Sequence, residues 1–245
     1  MHLLEGENIC KNFGGLAAVS KVDFFVDKGE IVGLIGPNGA GKTTLFNLIS
    51  AALKPKPGKI TYKGKDITPL PAYKICRMGI ARTFQTVKIF PHVSVARNVQ
   101  VGALFGTGHY VNSREAQKKA EETLEFVDLL PLKDTLAGDL TLAQQKRLEV
   151  ARALASAPEL LLLDELMAGL TQTEVTEAMG DIKHIRDRGI TVIMIEHLMQ
   201  AIMGISDRII VLDYGRKLAE GTPQEVANNP EVIKVYLGEE CDVAD

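Results

Sequence analysis

The sequence contains few cysteines, and their positions exclude two kinds of stabilised fold. Cys10, Cys76 and Cys241 are odd in number and lie far apart in a chain of 245 residues. A disulfide framework needs cysteines in pairs, and a zinc knuckle needs two of them close together. We therefore expect a protein of the reducing cytosol that is stabilised by an apolar core.

Basic residues are not in surplus either. Lys and Arg number 28 against 31 Asp and Glu, which gives a formal net charge of −3. A protein that binds nucleic acid through its phosphates usually concentrates Lys and Arg. The composition therefore argues against a direct nucleic-acid partner.

Long apolar runs are also missing. No run approaches the roughly 20 residues that cross a bilayer, and Met1–Asn8 carries Glu5 and Glu7 instead of the basic-then-apolar order of a secretory signal. If the chain serves a membrane, we expect it to do so through partner subunits.

Predicted strands and helices alternate along the chain. Val22–Val26 and Ile31–Ile35 are short β-rich runs, and Lys42–Leu53 follows with apolar residues at helical spacing. Leu160–Leu163 and Thr191–Ile195 are continuous apolar runs, typical of strands buried on both faces of a parallel sheet. This alternation predicts an α/β fold.

Shorter sequence patterns predict a hairpin and one more helix. The runs Ile60–Tyr62 and Asp66–Thr68 flank Lys63-Gly64-Lys65, which predicts a hairpin or small sheet. Apolar residues at helical spacing between Ala116 and Val127 predict an amphipathic helix. Asn112 is its expected N-cap, with Glu115 three residues further on.

A glycine-rich segment separates the strand Ile31–Ile35 from the helix that follows it. It reads Gly36-Pro37-Asn38-Gly39-Ala40-Gly41-Lys42-Thr43 and fits the pattern G-x-x-x-x-G-K-[ST] of a phosphate-binding loop. The glycines let backbone N–H groups turn toward phosphate oxygens, and the helix points its positive end at the anion. Lys42 is placed for the β- and γ-phosphates and the Thr43 hydroxyl for Mg²⁺. A plain turn before a surface helix is the alternative, which the flanking strand and helix disfavour.

A pair of carboxylates ends the apolar run Leu160–Leu163. Asp164 can hold Mg²⁺ directly or through water, and Glu165 can polarise the attacking water. On its own, such a pair is equally compatible with a strand that leaves the core. Together with the phosphate-binding loop it indicates a nucleotide-hydrolysing site.

These residues together resemble the ATP-binding subunits of ABC transporters, and the resemblance covers essentially the whole chain. It implies an α/β fold with a RecA-like P-loop NTPase core, an amino-terminal antiparallel β lobe and a helical subdomain. We expect one ABC ATPase domain over residues 1–245. The β lobe is expected at residues 1–30 and 55–70, the helical subdomain at 88–150, and the core in the remainder.

The resemblance assigns roles to further residues. Gln85 stands where the family contacts Mg²⁺ and the attacking water, and His197 stands where it contacts the γ-phosphate. Phe13 stands where an aromatic ring packs on adenine, with Val19 beside it. The resemblance thus implies three catalytic residues, Glu165, His197 and Gln85, and Thr43, Gln85 and Asp164 around Mg²⁺. The residues that it implies for ATP are Phe13, Val19, Asn38, Gly39, Ala40, Gly41, Lys42, Thr43, Thr44, Thr141, Leu142, Ala143 and Gln144.

Residues Thr141–Gln144, the signature segment, depart from the family pattern. The usual pentapeptide is Leu-Ser-Gly-Gly-Gln, whereas residues 140–144 here read Leu-Thr-Leu-Ala-Gln, with neither glycine. Ala143 adds a Cβ where the family brings its backbone close to the γ-phosphate of the opposite subunit. We expect this contact to persist in weakened form, and its loss is the main alternative.

The segment after Glu165 departs as well. Leu166 replaces the family's proline. Ala168–Thr171 occupies the position of the D-loop, the segment that follows the catalytic carboxylate in the family. Thr171 and Glu174 have the spacing of a capping box, so Thr171 is expected to start the next helix.

Several segments resemble the ATPases of branched-chain amino-acid importers in particular. They are residues 14–19, 80–85, 195–208 and 221–238. The resemblance implies ATP and Mg²⁺ as cofactors, transmembrane permease subunits and a second ABC ATPase subunit as partners, and indirect work with a solute-binding protein. It implies a location on the inner face of the cytoplasmic membrane. Lipopolysaccharide export and urea uptake are the neighbouring alternatives.

Two alternatives of other classes stay open at this level. A soluble ABC ATPase that acts on nucleic acid or ribosomes usually has tandem domains or long coiled-coil insertions, and residues 85–140 leave room only for a compact helical lobe. A non-hydrolysing regulatory partner would fit the changed signature segment, but Glu165 and His197 argue against it.

Overall fold

The structure is a computed structural model that describes residues 2–106, 108–109 and 111–241. Its strands, in chain order, are β1 (Leu4–Phe13), β2 (Leu16–Val26), β3 (Ile31–Ile35), β4 (Lys59–Tyr62), β5 (Lys65–Asp66), β6 (Ile80–Arg82), β7 (Leu160–Asp164), β8 (Thr191–Ile195), β9 (Arg208–Asp213) and β10 (Arg216–Gly221). Its α-helices are α1 (Lys42–Ile49), α2 (Ala72–Arg77), α3 (Val95–Phe105), α4 (Ser113–Phe126), α5 (Leu142–Ala155), α6 (Gln172–Asp187), α7 (Met199–Ile205), α8 (Pro223–Ala227) and α9 (Pro230–Cys241).

The chain divides into two compact units. The first unit is formed by the chain up to Pro71 and from Thr191 onward, and the second unit by Ala72–Ile190. The fold is the α/β fold that the sequence predicts. Within the described residues, no helix is long and apolar enough to cross a membrane.

The first unit contains an antiparallel sheet with the strand order β2-β1-β4-β5. Strands β1 and β2 are joined by the tight turn at Gly14 and Gly15, across which Phe13 pairs with Leu16. The predicted strand Val22–Val26 forms the end of β2, and the predicted hairpin is formed by β4 and β5.

The second arm of this hairpin lies earlier in the chain than the predicted Asp66–Thr68. Strand β5 ends at Asp66, and the hydroxyl of Thr68 accepts the N–H of Ile60 at 2.8 Å in place of a backbone carbonyl. The side chain of Thr68 therefore takes over the hydrogen bond of the ladder, and the regular strand stops.

The first unit also contains parallel strands. Strand β3 lies between β8 and β9, parallel to both, and β10 pairs with β9 in the antiparallel sense. Every residue of β3 and β8 is buried. Both predicted strands are confirmed with the predicted bounds, as expected for continuous apolar runs in a parallel arrangement.

Helix α1 is shorter than the predicted Lys42–Leu53. It ends at Ile49, and Ser50 caps it with an N–H that donates to Leu48 and Phe46. Ala51 then adopts a φ of 54°, and the N–H of Leu53 returns to the carbonyl of Asn47 at 2.8 Å. A residue in the left-handed region ends the helical ladder, although the apolar spacing continues through Ala52.

The second unit combines a parallel strand pair with a helical cluster. Strand β6 pairs with β7, whose five residues are all buried. Helices α3, α4 and α5 bury one apolar cluster between them, which includes Val99, Leu124 and Leu148. The predicted amphipathic helix is α4, and Asn112 and Glu115 form its predicted capping box.

Three other helices also begin with a capping box. Thr171 and Glu174 form the predicted capping box of α6. The boxes of α5, from Thr141 and Gln144, and of α8, from Thr222 and Glu225, were not predicted from the sequence.

Two helical glycines of the second unit provide a matched test of packing. A Cβ added to Gly102 in α3 would lie 2.1 Å from the carbonyl oxygen of Arg152 in α5, whereas one added to Gly180 in α6 would meet nothing within 4 Å. We expect Gly102→Ala to lower the free energy of unfolding by about 1–3 kcal/mol. Gly180→Ala should raise it by about 0.5–1 kcal/mol, because alanine favours the helix. Urea unfolding of both variants measures this, and equal effects would contradict the close approach of α3 to α5.

Candidate nucleotide-binding and hydrolysis site

The loop between β3 and α1 in the first unit depends on two glycines. Gly36 and Gly41 have φ values of 148° and 99°. A Cβ on Gly36 would lie 2.1 Å from the carbonyl oxygen of Leu212, and one on Gly41 would lie 2.3 Å from that of Ala18. Both the backbone conformation and the close approach therefore require glycine.

The Lys42 side chain is held against this loop. It is only 7% exposed, and its Nζ donates to the carbonyls of Gly36 at 2.6 Å and Pro37 at 2.9 Å. Gly41 caps α1 without a side-chain hydrogen bond, while Asn38, Gly39 and Thr43 are exposed and Thr44 is half-buried. A helix N-terminus beside a fixed ammonium group has the charge and the donors to bind phosphate.

Residues that are distant in sequence support the loop, and no local sequence pattern points to them. Ala40, which is buried, accepts the N–H of Gly215 at 3.1 Å. The N–H of Ser20 donates to the carbonyl of Gly215 at 2.7 Å. Strand β2 and the turn between β9 and β10 therefore brace the phosphate-binding loop from within the first unit.

The two predicted adenine contacts have different surroundings. Phe13 ends β1 with 48% of its surface exposed, and the Nζ of Lys11 lies 5.6 Å from its ring centroid. Val19 has no exposed surface and belongs to the core. An exposed ring can stack on a base, so the adenine contact stays a prediction for Phe13, while the position of Val19 gives that prediction no support.

His197 follows β8 by two residues and is exposed, next to the buried Glu196. It lies in the first unit with the phosphate-binding loop. The other two predicted catalytic residues, Glu165 and Gln85, lie in the second unit together with the signature segment and with Asp164, a predicted Mg²⁺ ligand.

The two adjacent carboxylates have separate environments. Asp164 ends β7 with 2% exposure, and its Oδ2 forms an ion pair with the Arg82 guanidinium at 2.7 Å. Glu165 is half-buried, with a φ of 51°, and its Oε2 accepts the Nε2 of Gln85 at 2.9 Å. The structure thus brings together Gln85 and Glu165, two of the residues predicted to act on the attacking water.

The segment that carries Gln85 is anchored to α5. Glu149 accepts the backbone N–H of Lys88 at 3.2 Å, and Arg152 donates to the carbonyl of the same residue. Burial raises the pKa of the Glu149 carboxyl and lowers the pKa of Arg152. Glu149 and Arg152 also pair with each other at 3.6 Å, and both hold the main chain of Lys88, three residues after Gln85.

The signature segment forms the beginning of α5. The Thr141 hydroxyl accepts the N–H of Gln144 at 3.3 Å, and the Gln144 side chain accepts the N–H of Thr141 at 3.0 Å. Leu142 is 46% exposed, and Ala143 is half-buried in the first helical turn. Thr141 and Gln144 therefore have a local structural role that is independent of any ligand.

The sequence matches two transporter families and is similar to ATP-binding proteins of other organisms. The ABC transporter family matches residues 19–168, and the branched-chain amino acid ATP-binding cassette transporter family matches residues 216–242. The chain is 41% identical to the high-affinity branched-chain amino acid transport ATP-binding protein BraF of Pseudomonas aeruginosa, over 97% of this chain and 98% of that one. It is 34% identical to the lipopolysaccharide export system ATP-binding protein LptB of Haemophilus influenzae, over 98% of this chain and 99% of that one.

Solved structures with the same fold are ATP-binding cassettes. One cassette of an ABC transporter in its ADP conformation has a TM-score of 0.88 and 33% identity, over 97% of this chain and 99% of that one. A dimeric cassette in a post-hydrolysis state is bound to ADP and phosphate. It has a TM-score of 0.81 and 25% identity, over 90% of this chain and 98% of that one. These likenesses extend along nearly the whole length of each chain.

The structural role of Thr141 can be tested directly. We expect Thr141→Ala to lower the free energy of unfolding by about 1 kcal/mol, because the helix loses its N-cap acceptor. Thr141→Ser should keep most of the parent's stability, because serine retains the hydroxyl. Thr222→Ala, which removes the matching cap of α8, is the reference variant in the same urea titration. An unchanged stability in Thr141→Ala would show that the cap contributes nothing and that Thr141 serves another purpose.

Proposed function

Because the chain belongs to the ABC transporter family of ATP-hydrolysing subunits, we propose that it energises the uptake of branched-chain amino acids through permease partners in the membrane. The match of residues 216–242 to a family of branched-chain amino acid cassettes carries this choice of substrate. Similarity to BraF over nearly the full length of both chains supports it. The substrate is assigned by sequence similarity to relatives, since no residue of this chain is proposed to contact it.

ATP binding is proposed at the loop between β3 and α1. The backbone N–H groups after Gly36 and Gly41 would surround the phosphates, with Lys42 beside them. The exposed ring of Phe13 would stack on adenine. Asn38, Gly39 and the first turn of α1, including Thr43 and Thr44, complete the proposed contacts.

A magnesium ion fits the proposed ligands by their chemistry. Thr43, Asp164 and Gln85 offer a hydroxyl, a carboxylate and an amide oxygen, and Mg²⁺ prefers such hard oxygen donors. Among the described residues, no group of three or more His, Cys, Asp and Glu could hold a metal alone. This agrees with a nucleotide site, where Mg²⁺ usually has one or two carboxylates and is completed by phosphate oxygens. When bound, the ion neutralises charge on those oxygens.

Hydrolysis is proposed to depend on Glu165. Its carboxylate would accept a proton from the water whose oxygen attacks the γ-phosphorus, while the bond to the bridging oxygen of ADP breaks. The hydrogen bond from Gln85 fixes the orientation of this carboxylate. His197 would contact the γ-phosphate from the first unit, after the end of β8.

A second ABC ATPase subunit is proposed as the immediate partner, either another copy or a related chain. A dimeric relative bound to ADP and phosphate supports this arrangement. The signature segment Thr141–Gln144 would then face the ATP of the partner. Ala143 would weaken that contact, because its Cβ stands where the family pattern has glycine.

The membrane partners are proposed to be permease subunits, with a solute-binding protein acting through them. Phe90 is 46% exposed and follows the Gln85 segment together with the half-buried Val87 and Ile89. This apolar surface would receive a permease, which would hold the chain on the inner face of the cytoplasmic membrane. Contact with nucleic acid is not part of the proposal.

Lipopolysaccharide export is a second candidate function, favoured by the likeness to LptB. Reconstitution with the permeases and binding protein of its own organism separates the two. ATP-driven uptake of labelled leucine into vesicles supports the first candidate, whereas ATP hydrolysis with no amino-acid uptake contradicts it.

The role of Glu165 gives the first prediction on activity. We expect the purified chain to hydrolyse ATP, and Glu165→Gln to lower the turnover at least about 100-fold, because the general base is lost. In ATP and Mg²⁺, the variant should elute as a dimer in size-exclusion chromatography. Glu122→Gln, on the exposed face of α4, is the control and should behave as the parent. Full turnover in Glu165→Gln would remove Glu165 from the mechanism.

The changed signature segment gives a second prediction. In a complex of two different ATPase chains, we expect Ala143→Gly to raise hydrolysis of the ATP held by the partner, while ATP held by this chain is hydrolysed as before. Single-turnover assays with one P-loop disabled at a time measure this. Equal effects at both sites would contradict the asymmetry. Because glycine in a helix costs about 1 kcal/mol relative to alanine, the stability of the variant is measured alongside.

A further inference from the structure

Lys146 in α5 is a buried lysine whose ammonium group binds main-chain oxygens. Its side chain is 6% exposed. Its Nζ donates to three carbonyls, those of Glu165 at 3.1 Å, Leu166 at 2.8 Å and Ala168 at 2.5 Å. An ammonium group has three N–H donors, and each of these carbonyl oxygens can accept one of them.

The segment that Lys146 binds, Glu165–Ala168, has an unusual backbone. Glu165 has a φ of 51°, a conformation that costs a non-glycine residue free energy and persists only when its surroundings impose it. The turn is closed by the N–H of Ala168, which donates to the carbonyl of Glu165 at 3.3 Å. The ammonium group of Lys146 thus spans this turn from Glu165 to Ala168.

The direction of the Glu165 side chain depends on this backbone. A residue with positive φ points its Cα–Cβ bond differently from one in an extended strand. Here the Glu165 carboxylate accepts a hydrogen bond from the Nε2 of Gln85 at 2.9 Å. If the turn relaxed, the carboxylate would leave Gln85 and the place where a water is proposed to be activated.

The same helix also anchors the segment that carries Gln85. Glu149 and Arg152 follow Lys146 at three-residue intervals, and both hold the main chain of Lys88. Helix α5 thus fixes the main chain of both segments, one that presents Gln85 and one that presents Glu165. Its N-terminal residues are the signature segment.

We propose that Lys146 is a positioning residue for ATP hydrolysis, which holds the Glu165–Ala168 turn so that the Glu165 carboxylate faces Gln85. This inference rests on the proposed function of Glu165 as the base. Lys146 does not touch ATP in this proposal and acts only through the main chain of Glu165, Leu166 and Ala168.

The test compares Lys146→Met with Lys146→Arg and with a control. Methionine keeps the apolar stem and removes the ammonium group, whereas arginine keeps the charge and several N–H donors. Lys118→Met is the matched control, since Lys118 in α4 is 79% exposed and has a pair with Glu122 one helical turn away. Each variant is examined by amide hydrogen exchange, by steady-state ATP hydrolysis and by thermal unfolding.

We expect Lys146→Met to speed the amide exchange of Ala168, whose N–H closes the turn, and of Leu170, whose N–H donates to the carbonyl of Met167 within it. Its kcat should fall roughly 10- to 100-fold, as expected for a misplaced catalytic group, while its KM for ATP stays within about twofold of the parent, because the phosphate-binding loop is intact. Lys146→Arg should recover most of the kcat. Lys118→Met should leave all three measurements unchanged.

Two results would overturn the proposal. One is an unchanged kcat together with unchanged exchange in Lys146→Met. The other is a loss of kcat that only follows the loss of folded protein and disappears at a temperature where the variant is fully folded. If the parent chain itself fails to hydrolyse ATP, the proposed function fails, whereas the exchange of Ala168 and Leu170 still shows whether Lys146 holds the turn.

Discussion

The arrangement of the second unit depends on buried charged side chains of α5 that bind main-chain groups. Lys146 and Glu149 are almost fully removed from water and Arg152 is half-buried, and all three bind the backbone of two loops. A buried charge without partners is strongly unfavourable, so these loops are held in the places where the hydrogen bonds form. The positions of Gln85 and Glu165 follow from this constraint.

The first unit uses a different constraint, which is the close approach of main chains. Gly36 and Gly41 let the phosphate-binding loop lie against the carbonyls of Leu212 and Ala18, where a Cβ has no room. The turn at Gly215 adds a hydrogen bond to Ala40. The loop therefore owes its shape to strands β2 and β9 as much as to its own glycines.

The signature segment shows how one short sequence serves two demands. Thr141 and Gln144 begin α5 as a capping box, which any helix can use, and this explains why a hydroxyl is kept at Thr141 although both glycines of the family pattern are absent. In the proposed dimer, the glycines of the family pattern would serve a contact with the other chain. Ala143 would alter that contact, while the capping box at the start of α5 stays intact.

Features that depend on neighbouring residues could be predicted from the amino-acid sequence. Strands β3 and β8, the P-loop with Lys42, and the capping boxes of α4 and α6 follow from apolar runs, glycine spacing and pairs three residues apart. The burial of Val19, the pair of Arg82 with Asp164 and the binding of the turn after Glu165 by Lys146 could not be predicted in this way. These contacts join residues far apart in the chain, and their hydrogen bonds form only once packing has brought the strands and helices together, so local patterns carry no signal for them.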